Sequence, residues 1–173
     1  MPPSEPPAAE DAPIVTWQLG RPPRGEWSAA ARCSWGRPTV VATLPVLPGG
    51  EPFPTLLWLT CPWLVERVGA VESSGGTDSW SARLATDSAL AARMRVADVA
   101  YRERRALVAG GIDPCEGTGI AGQRDPLATK CLHAHVAAAL GGIDDPVGLA
   151  VLETAPRECP DDRCAAALVD SRL

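Results

Sequence analysis

Lys130, His133 and His135 are the chain's one lysine and its two histidines, and all three fall within Lys130-Cys131-Leu132-His133-Ala134-His135. A thiol, two imidazoles and an amine are the side chains that hold soft metals, attack electrophiles or move protons near neutral pH. If a helix runs through this stretch, Cys131 and His135 stand at i and i+4, about 5–6 Å apart at Cβ, and both can reach one ion. If the backbone is still extended at Cys131, alternate residues share a face and the pair becomes Cys131 and His133. Cys61, or Cys159 with Cys164, could complete a tetrahedral set with zinc–sulfur distances of about 2.3 Å. No spacing here matches a standard zinc module.

A second chemistry is anion binding. The loop Gly117-Thr118-Gly119-Ile120-Ala121-Gly122-Gln123-Arg124 precedes a helix expected over 127–140. Free amides at Gly119 and Gly122, together with Arg124, Thr129 and Lys130, could therefore converge on a phosphate or carboxylate. The glycine pattern is not a dinucleotide fingerprint, since no clear strand precedes Gly117 and the helix starts too late. The plain alternative is a loop whose glycines satisfy turn geometry. Arg32 and Arg37, flanking a hairpin, could also pair with an acidic ligand, although solvent exposure or salt bridging is the commoner fate.

A third chemistry is nucleophilic. Backbone amides at a helix start lower a thiol's pKa and a neighbouring imidazole raises its thiolate fraction; Cys61 meets the first condition and Cys131, with His133 as base, the second. Cys61 also reads as a small core residue at the end of an apolar strand. Cys33 and Cys115 have no histidine near in sequence and read as structural.

Composition narrows the function classes. The 173 residues can form one domain that buries about 70% of its unfolded surface. A formal charge of −5 argues against nucleic acid as a partner. Fifteen arginines against one lysine fit the codon bias of a GC-rich bacterial genome. The proline-rich, acidic start Met1-Pro2-Pro3-Ser4-Glu5-Pro6-Pro7 lacks the basic and apolar segments of a secretory signal, so a cytoplasmic protein is expected. No apolar run is long enough for a membrane span; the longest, Leu56 to Val65, is broken by Pro62. Six cysteines without an export signal read as thiols or metal ligands rather than a disulfide framework.

The elements that must position these residues follow from periodicity. Residues 1–13 are expected to be a disordered proline-rich tail, 14–155 a single domain, and 156–173 a carboxy-terminal tail carrying Cys159 and Cys164. Ile14–Leu19 can make one or two helical turns. Trp27–Cys33 and Thr39–Leu44 read as a hairpin, and the apolar run Thr55–Thr60 as the middle strand of a sheet. Helices are expected from Pro62 to about Val71, from Thr77 or Asp78 to Ala85, over 87–109, over 127–140, and from Asp144-Asp145-Pro146 onward. In the long helix, Arg102-Glu103-Arg104-Arg105 reads as a solvated face. Trp58 and Trp63 read as core, while Trp27 and Trp35 could line a pocket rim. Strands first and helices afterwards give an α+β class: a small antiparallel sheet of about three strands within residues 27–60, covered by helices from 62–153.

Several segments together resemble the bacterial family called domain of unknown function 501. They are Leu19-Gly20-Arg21-Pro22-Pro23-Arg24-Gly25, Arg32-Cys33 with Gly36-Arg37-Pro38, Pro52-Phe53-Pro54-Thr55 running into Trp58-Leu59-Thr60-Cys61-Pro62, Gly119-Ile120-Ala121-Gly122, and Lys130-Cys131-Leu132-His133-Ala134-His135. The resemblance implies one fold over about residues 17–150 and no established activity or cofactor. The functional expectation is thus a small anionic ligand or a metal ion, zinc among them, at the glycine loop and the Lys-Cys-Leu-His segment. Two competing classes are a cysteine-dependent enzyme acting on an acyl or phosphoryl substrate, and a protein-interaction adaptor working through Trp17, Trp27 or the arginine-bearing helix.

Overall fold

Thr39, Val40 and Val41 make Pro38–Thr43 (β2) the firmest strand of the chain, and it takes the centre of a three-stranded antiparallel sheet. Trp27–Arg32 (β1) pairs on one side, with Trp27 opposite Thr43 and Ala29 opposite Val41, and the register slips around Ala31. Leu57–Leu59 (β3) pairs on the other, with Val40 opposite Leu59 and Ala42 opposite Leu57. The structure, a computed structural model, describes residues 8–155 and 159–170. The start of the expected proline-rich tail, 1–7, lies outside the described residues, as do 156–158 and 171–173.

The position of β3 differs from the expectation that it forms the middle of the sheet. It is an edge strand, and its two-sided apolarity has another cause. Helices cover it, and the hydroxyl of Tyr101 accepts the Leu56 N–H at 2.7 Å, occupying an amide just before the strand. Burial on both faces therefore marks coverage by helices rather than a strand on each side.

The helices are Asp11–Leu19 (α1), Pro62–Ser73 (α2), Gly76–Thr86 (α3), Ser88–Val108 (α4), Leu132–Leu140 (α5), Pro146–Thr154 (α6) and the short Ala166–Asp170 (α7), with 3-10 turns at Ile120–Gly122 and Arg163–Ala165. The architecture is α+β. Among the described residues, no helix is long and apolar enough to cross a membrane.

Two helices carry their expected starts. Asp87 caps α4 by accepting the Leu90 N–H, and Asp145 caps α6 by accepting from Val147 and Gly148, with Pro146 in the first turn. Helix α1 starts at Asp11 rather than Ile14, because the Asp11 carboxylate is buried and forked by Arg32 through contacts of 2.8 and 2.7 Å.

Helix α5 is apolar nearly all round and is the helix the rest is built on: Leu132, Val136, Ala137 and Ala138 are fully buried in the main core with Leu57, Leu64, Met94 and Val147. Gly148 lets α6 pack directly on it. A Cβ there would fall 2.1 Å from the His135 carbonyl oxygen.

Candidate functional site

Helix α5 begins at Leu132, five residues later than periodicity alone places it, because the preceding amides are taken by other helices. The Thr129 N–H donates to Ser81 Oγ on α3 at 2.9 Å, and the Leu132 N–H donates to Glu72 Oε1 on α2 at 2.5 Å. Cys131 is left extended, with φ −151° and ψ 111°. Of the two geometries open to the Lys-Cys-Leu-His segment, the extended one is realised, and Cys131 pairs with His133.

Cys131 Sγ lies 3.9 Å from His133 Nδ1, and Glu72 Oε1 lies 3.1 Å from the same nitrogen. One ligand atom from each of Glu72, Cys131 and His133 can be chosen so that all lie within 4.8 Å of one another. The other ring nitrogen, Nε2, is 3.0 Å from the Val65 carbonyl oxygen. When Nε2 carries the proton, it donates to that carbonyl and turns the Nδ1 lone pair toward the sulfur and the carboxylate. This is the usual outer support of a metal-ligating imidazole.

All three side chains are partly exposed. The His133 pKa is raised to about 9, first by the hydrogen bond with Cys131, then by the Val65 carbonyl and the Glu72 charge, against the opposing effect of burial.

His135 does not join them. It is 1% exposed, and its Nδ1 lies 2.7 Å from Asp145 Oδ2, tying α5 to the capping residue of α6. Cys61 belongs elsewhere too. It is the N-cap of α2 and lines a separate cavity with Cys33, Cys159 and Cys164. Burial pushes its thiol up and outweighs the Trp63 and Leu64 amides that pull it down, so the net direction opposes what a helix start alone gives.

The glycine loop is built around an internal anion. Asp98 of α4 accepts the Ile120 N–H at 3.1 Å, and a Cβ on Gly119 would sit 1.6 Å from the same carboxylate oxygen. Gly122 packs against Pro54 in the left-handed region, φ 68°. Arg124 and Lys130 are exposed. Arg32 is engaged with Asp11 and the Gly36 carbonyl, remote in sequence from this loop.

Arg105 also departs from the solvated face expected for its run. It is fully buried, forks Asp113 at 2.7 and 2.6 Å, and donates to the Pro54 carbonyl at 2.9 Å.

Trp35 lines the cysteine cavity, as a rim residue was expected to. Trp63 packs half-buried against the main core, with the guanidinium of Arg67 over its ring at 4.3 Å and that of Arg163 at 5.1 Å. Trp58 departs from the expected core position: it is half-buried and stacks on Phe53 at 5.6 Å.

Glu72 is the functional candidate that sequence reasoning missed. It sits in Glu72-Ser73-Ser74-Gly75-Gly76, where no motif singles out a carboxylate, and only the packing of α2 on α5 brings it to the site.

These observations define an α+β protein with a carboxylate–thiol–imidazole cluster at the start of its central helix. The profile of the family described as protein of unknown function (DUF501) matches residues 29–153. The chain belongs to that family. No curated protein and no solved structure matches it.

Proposed function

We propose that this protein binds a divalent, thiophilic metal ion, zinc being the best fit, through Glu72, Cys131 and His133. The remaining coordination position would be open to water or a small anion. The observation that carries this reading is the convergence of oxygen, sulfur and nitrogen within 4.8 Å, with the imidazole's far nitrogen held by a backbone carbonyl. Zinc accepts this mixture of donors, and three protein ligands with one open position is the pattern of reactive rather than purely structural zinc. The six free thiols suit a reducing compartment, the cytoplasm.

The test is metal content of the full chain purified without chelators, compared with Cys131→Ser, Glu72→Gln and His133→Ala. Each substitution should lower bound zinc by ~1 equivalent per chain. Unchanged zinc in all three, with circular dichroism of the folded protein, sinks the reading.

A second reading rests on the 3.9 Å contact between Cys131 Sγ and His133 Nδ1: a thiol nucleophile assisted by the imidazole. Glu72 argues against it as the leading one. In a thiol–imidazole–carboxylate relay the acid holds the nitrogen opposite the nucleophile, whereas here both face Nδ1. Rapid alkylation of Cys131 by iodoacetamide in metal-free protein, slowed in His133→Ala, would favour the nucleophile.

A further inference from the structure

Four of the six cysteines come from three separate stretches of chain and face one cavity. Cys33 lies in the turn between β1 and β2, Cys61 caps α2, and Cys159 and Cys164 flank Pro160-Asp161-Asp162-Arg163. Together with Gln18, Trp35, Arg37 and Thr39 they line about 10 Å³ of space, room for one water-sized body. Three of the four thiols are under a tenth exposed, and all four are free.

We propose that this cavity is a second metal centre, in which the four thiolates hold a single thiophilic ion, zinc. An all-sulfur ligand set suits that ion, and the space suits one atom rather than a cluster.

Without a bound cation burial pushes the Cys61 and Cys164 thiols up, and the Cys159 thiol donates to Asp161 Oδ1 at 3.1 Å, so thiolates form here together with the ion; N–H donors are already in place for them. Gln18 Nε2 donates to Cys164 Sγ at 3.3 Å, and the Trp63 and Leu64 amides at the start of α2 are hydrogen-bonded to Cys61. N–H donors aimed at sulfur stabilise bound thiolate and tune the metal. Four thiolates on a divalent ion leave a charge of about −2; Arg37 and Arg163 line the cavity together with Asp162, which Arg37 pairs, so Arg163 is the lining cation that Asp162 leaves to face that charge. Gln18 Oε1 and Thr39 Oγ1, also at the cavity, are buried without a partner. Buried polar atoms of that kind mark places where water or an ion is missing.

No three of these sulfurs lie within 4.8 Å of one another among the described residues. Zinc–sulfur bonds of about 2.3 Å would draw neighbouring sulfurs to about 3.8 Å, so loading a single ion closes the cavity around it.

The site also gives the carboxy-terminal segment a reason to fold back. Its apolar anchorage is small, Cys164 and Ala167 against Ile14, with Leu168 alongside. The rest is polar: the Trp35 indole donates to the Cys159 carbonyl at 2.8 Å, and Arg37 forks Asp162 at 3.1 and 3.0 Å. A metal shared by residues 33, 61, 159 and 164 converts this weak docking into part of the folding free energy. Cys33 and Cys61 lie within the residues matched to the family, and Cys159 and Cys164 lie beyond them.

The deciding experiment is elemental analysis of the full chain, comparing wild type, the double variant Cys159→Ser/Cys164→Ser, and Cys131→Ser. The double variant should lose ~1 equivalent of zinc that Cys131→Ser keeps. Because Cys131 belongs to the other site, the two proposals fail separately. As a check that needs no substitution, a chelator should raise the alkylation rate of Cys33 in wild type at least tenfold. Equal metal in wild type and the double variant overturns the proposal. So does an intact mass showing a disulfide among the four, or a Cys33 rate indifferent to chelation.

Discussion

Glu72 reaches His133 from a different helix: its Oε1 lies 3.1 Å from the imidazole Nδ1 and 2.5 Å from the Leu132 amide nitrogen. One carboxylate thus caps α5 and charges the histidine beside it. The two roles separate by substitution. Glu72→Gln keeps an acceptor for the Leu132 N–H, whereas Glu72→Ala removes it. Alanine should cost about 1–2 kcal/mol in urea unfolding and glutamine less than half of that. Both should lower the His133 pKa, read from its ring-proton shift by NMR. A His133 pKa unchanged in both variants would mean the contact is absent in solution.

The raised His133 pKa fixes a pH dependence. The fold favours the protonated ring, so its contribution is fully present below the unfolded value of 6.5 and is lost as pH rises through about 9. The loss in metal-free protein should be on the order of 2 kcal/mol, allowing for partial exposure. Urea midpoints between pH 6 and 9.5 should therefore fall more steeply in wild type than in His133→Gln. Metal binding runs the other way, since the ion must displace that proton. Affinity at the Glu72–Cys131–His133 site should rise at least about tenfold per pH unit up to 9, since the Cys131 thiol must also give up its proton to the solvent when the ion binds. Parallel stability profiles for wild type and His133→Gln would refute the assignment.

Much of this was legible in the sequence because local signals decided it. Asp87 and Asp145-Pro146 mark helix starts, Val40-Val41 marks a strand, and Lys130-Cys131-Leu132-His133 marks where a thiol and an imidazole meet. What stayed hidden depends on partners distant in the chain. Nothing near Glu72 tells that α2 will meet α5, 60 positions on. The glycine spacing at 117–122 resembles an anion loop because it is one, but the anion is Asp98 of the same chain. Arg105 sits in a charged run that reads as solvated, and only its contacts with Asp113 and the Pro54 carbonyl explain how a guanidinium can be buried. Cys33, Cys61, Cys159 and Cys164 have no common spacing because their meeting place is made by tertiary packing.

Arg105 gives the largest expected loss of stability. Its guanidinium is fully buried and holds Asp113 and the Pro54 carbonyl together. Arg105→Ala strands these acceptors and should cost about 3–5 kcal/mol. Arg105→Lys keeps the charge but loses the fork, and should lie between. A Cm for Arg105→Ala within error of wild type would contradict the buried pairing.

Gly119 isolates a steric effect from a backbone one. Its φ of −107° lies outside the left-handed region, so alanine there meets no left-handed penalty. The cost comes from Asp98, whose carboxylate oxygen would lie 1.6 Å from the new Cβ. Gly119→Ala should therefore destabilise by about 3 kcal/mol. Asp98→Ala also destabilises, by leaving the Ile120 N–H without its acceptor. The double variant should lose clearly less than the sum, because the clash disappears with the side chain. In metal-free Asp98→Ala the vacated amide becomes available, so inorganic phosphate should raise its Tm and leave metal-free wild type unmoved. Strict additivity would show that Asp98 does not fill the loop. A phosphate shift of equal size in both proteins would show that the anion binds elsewhere.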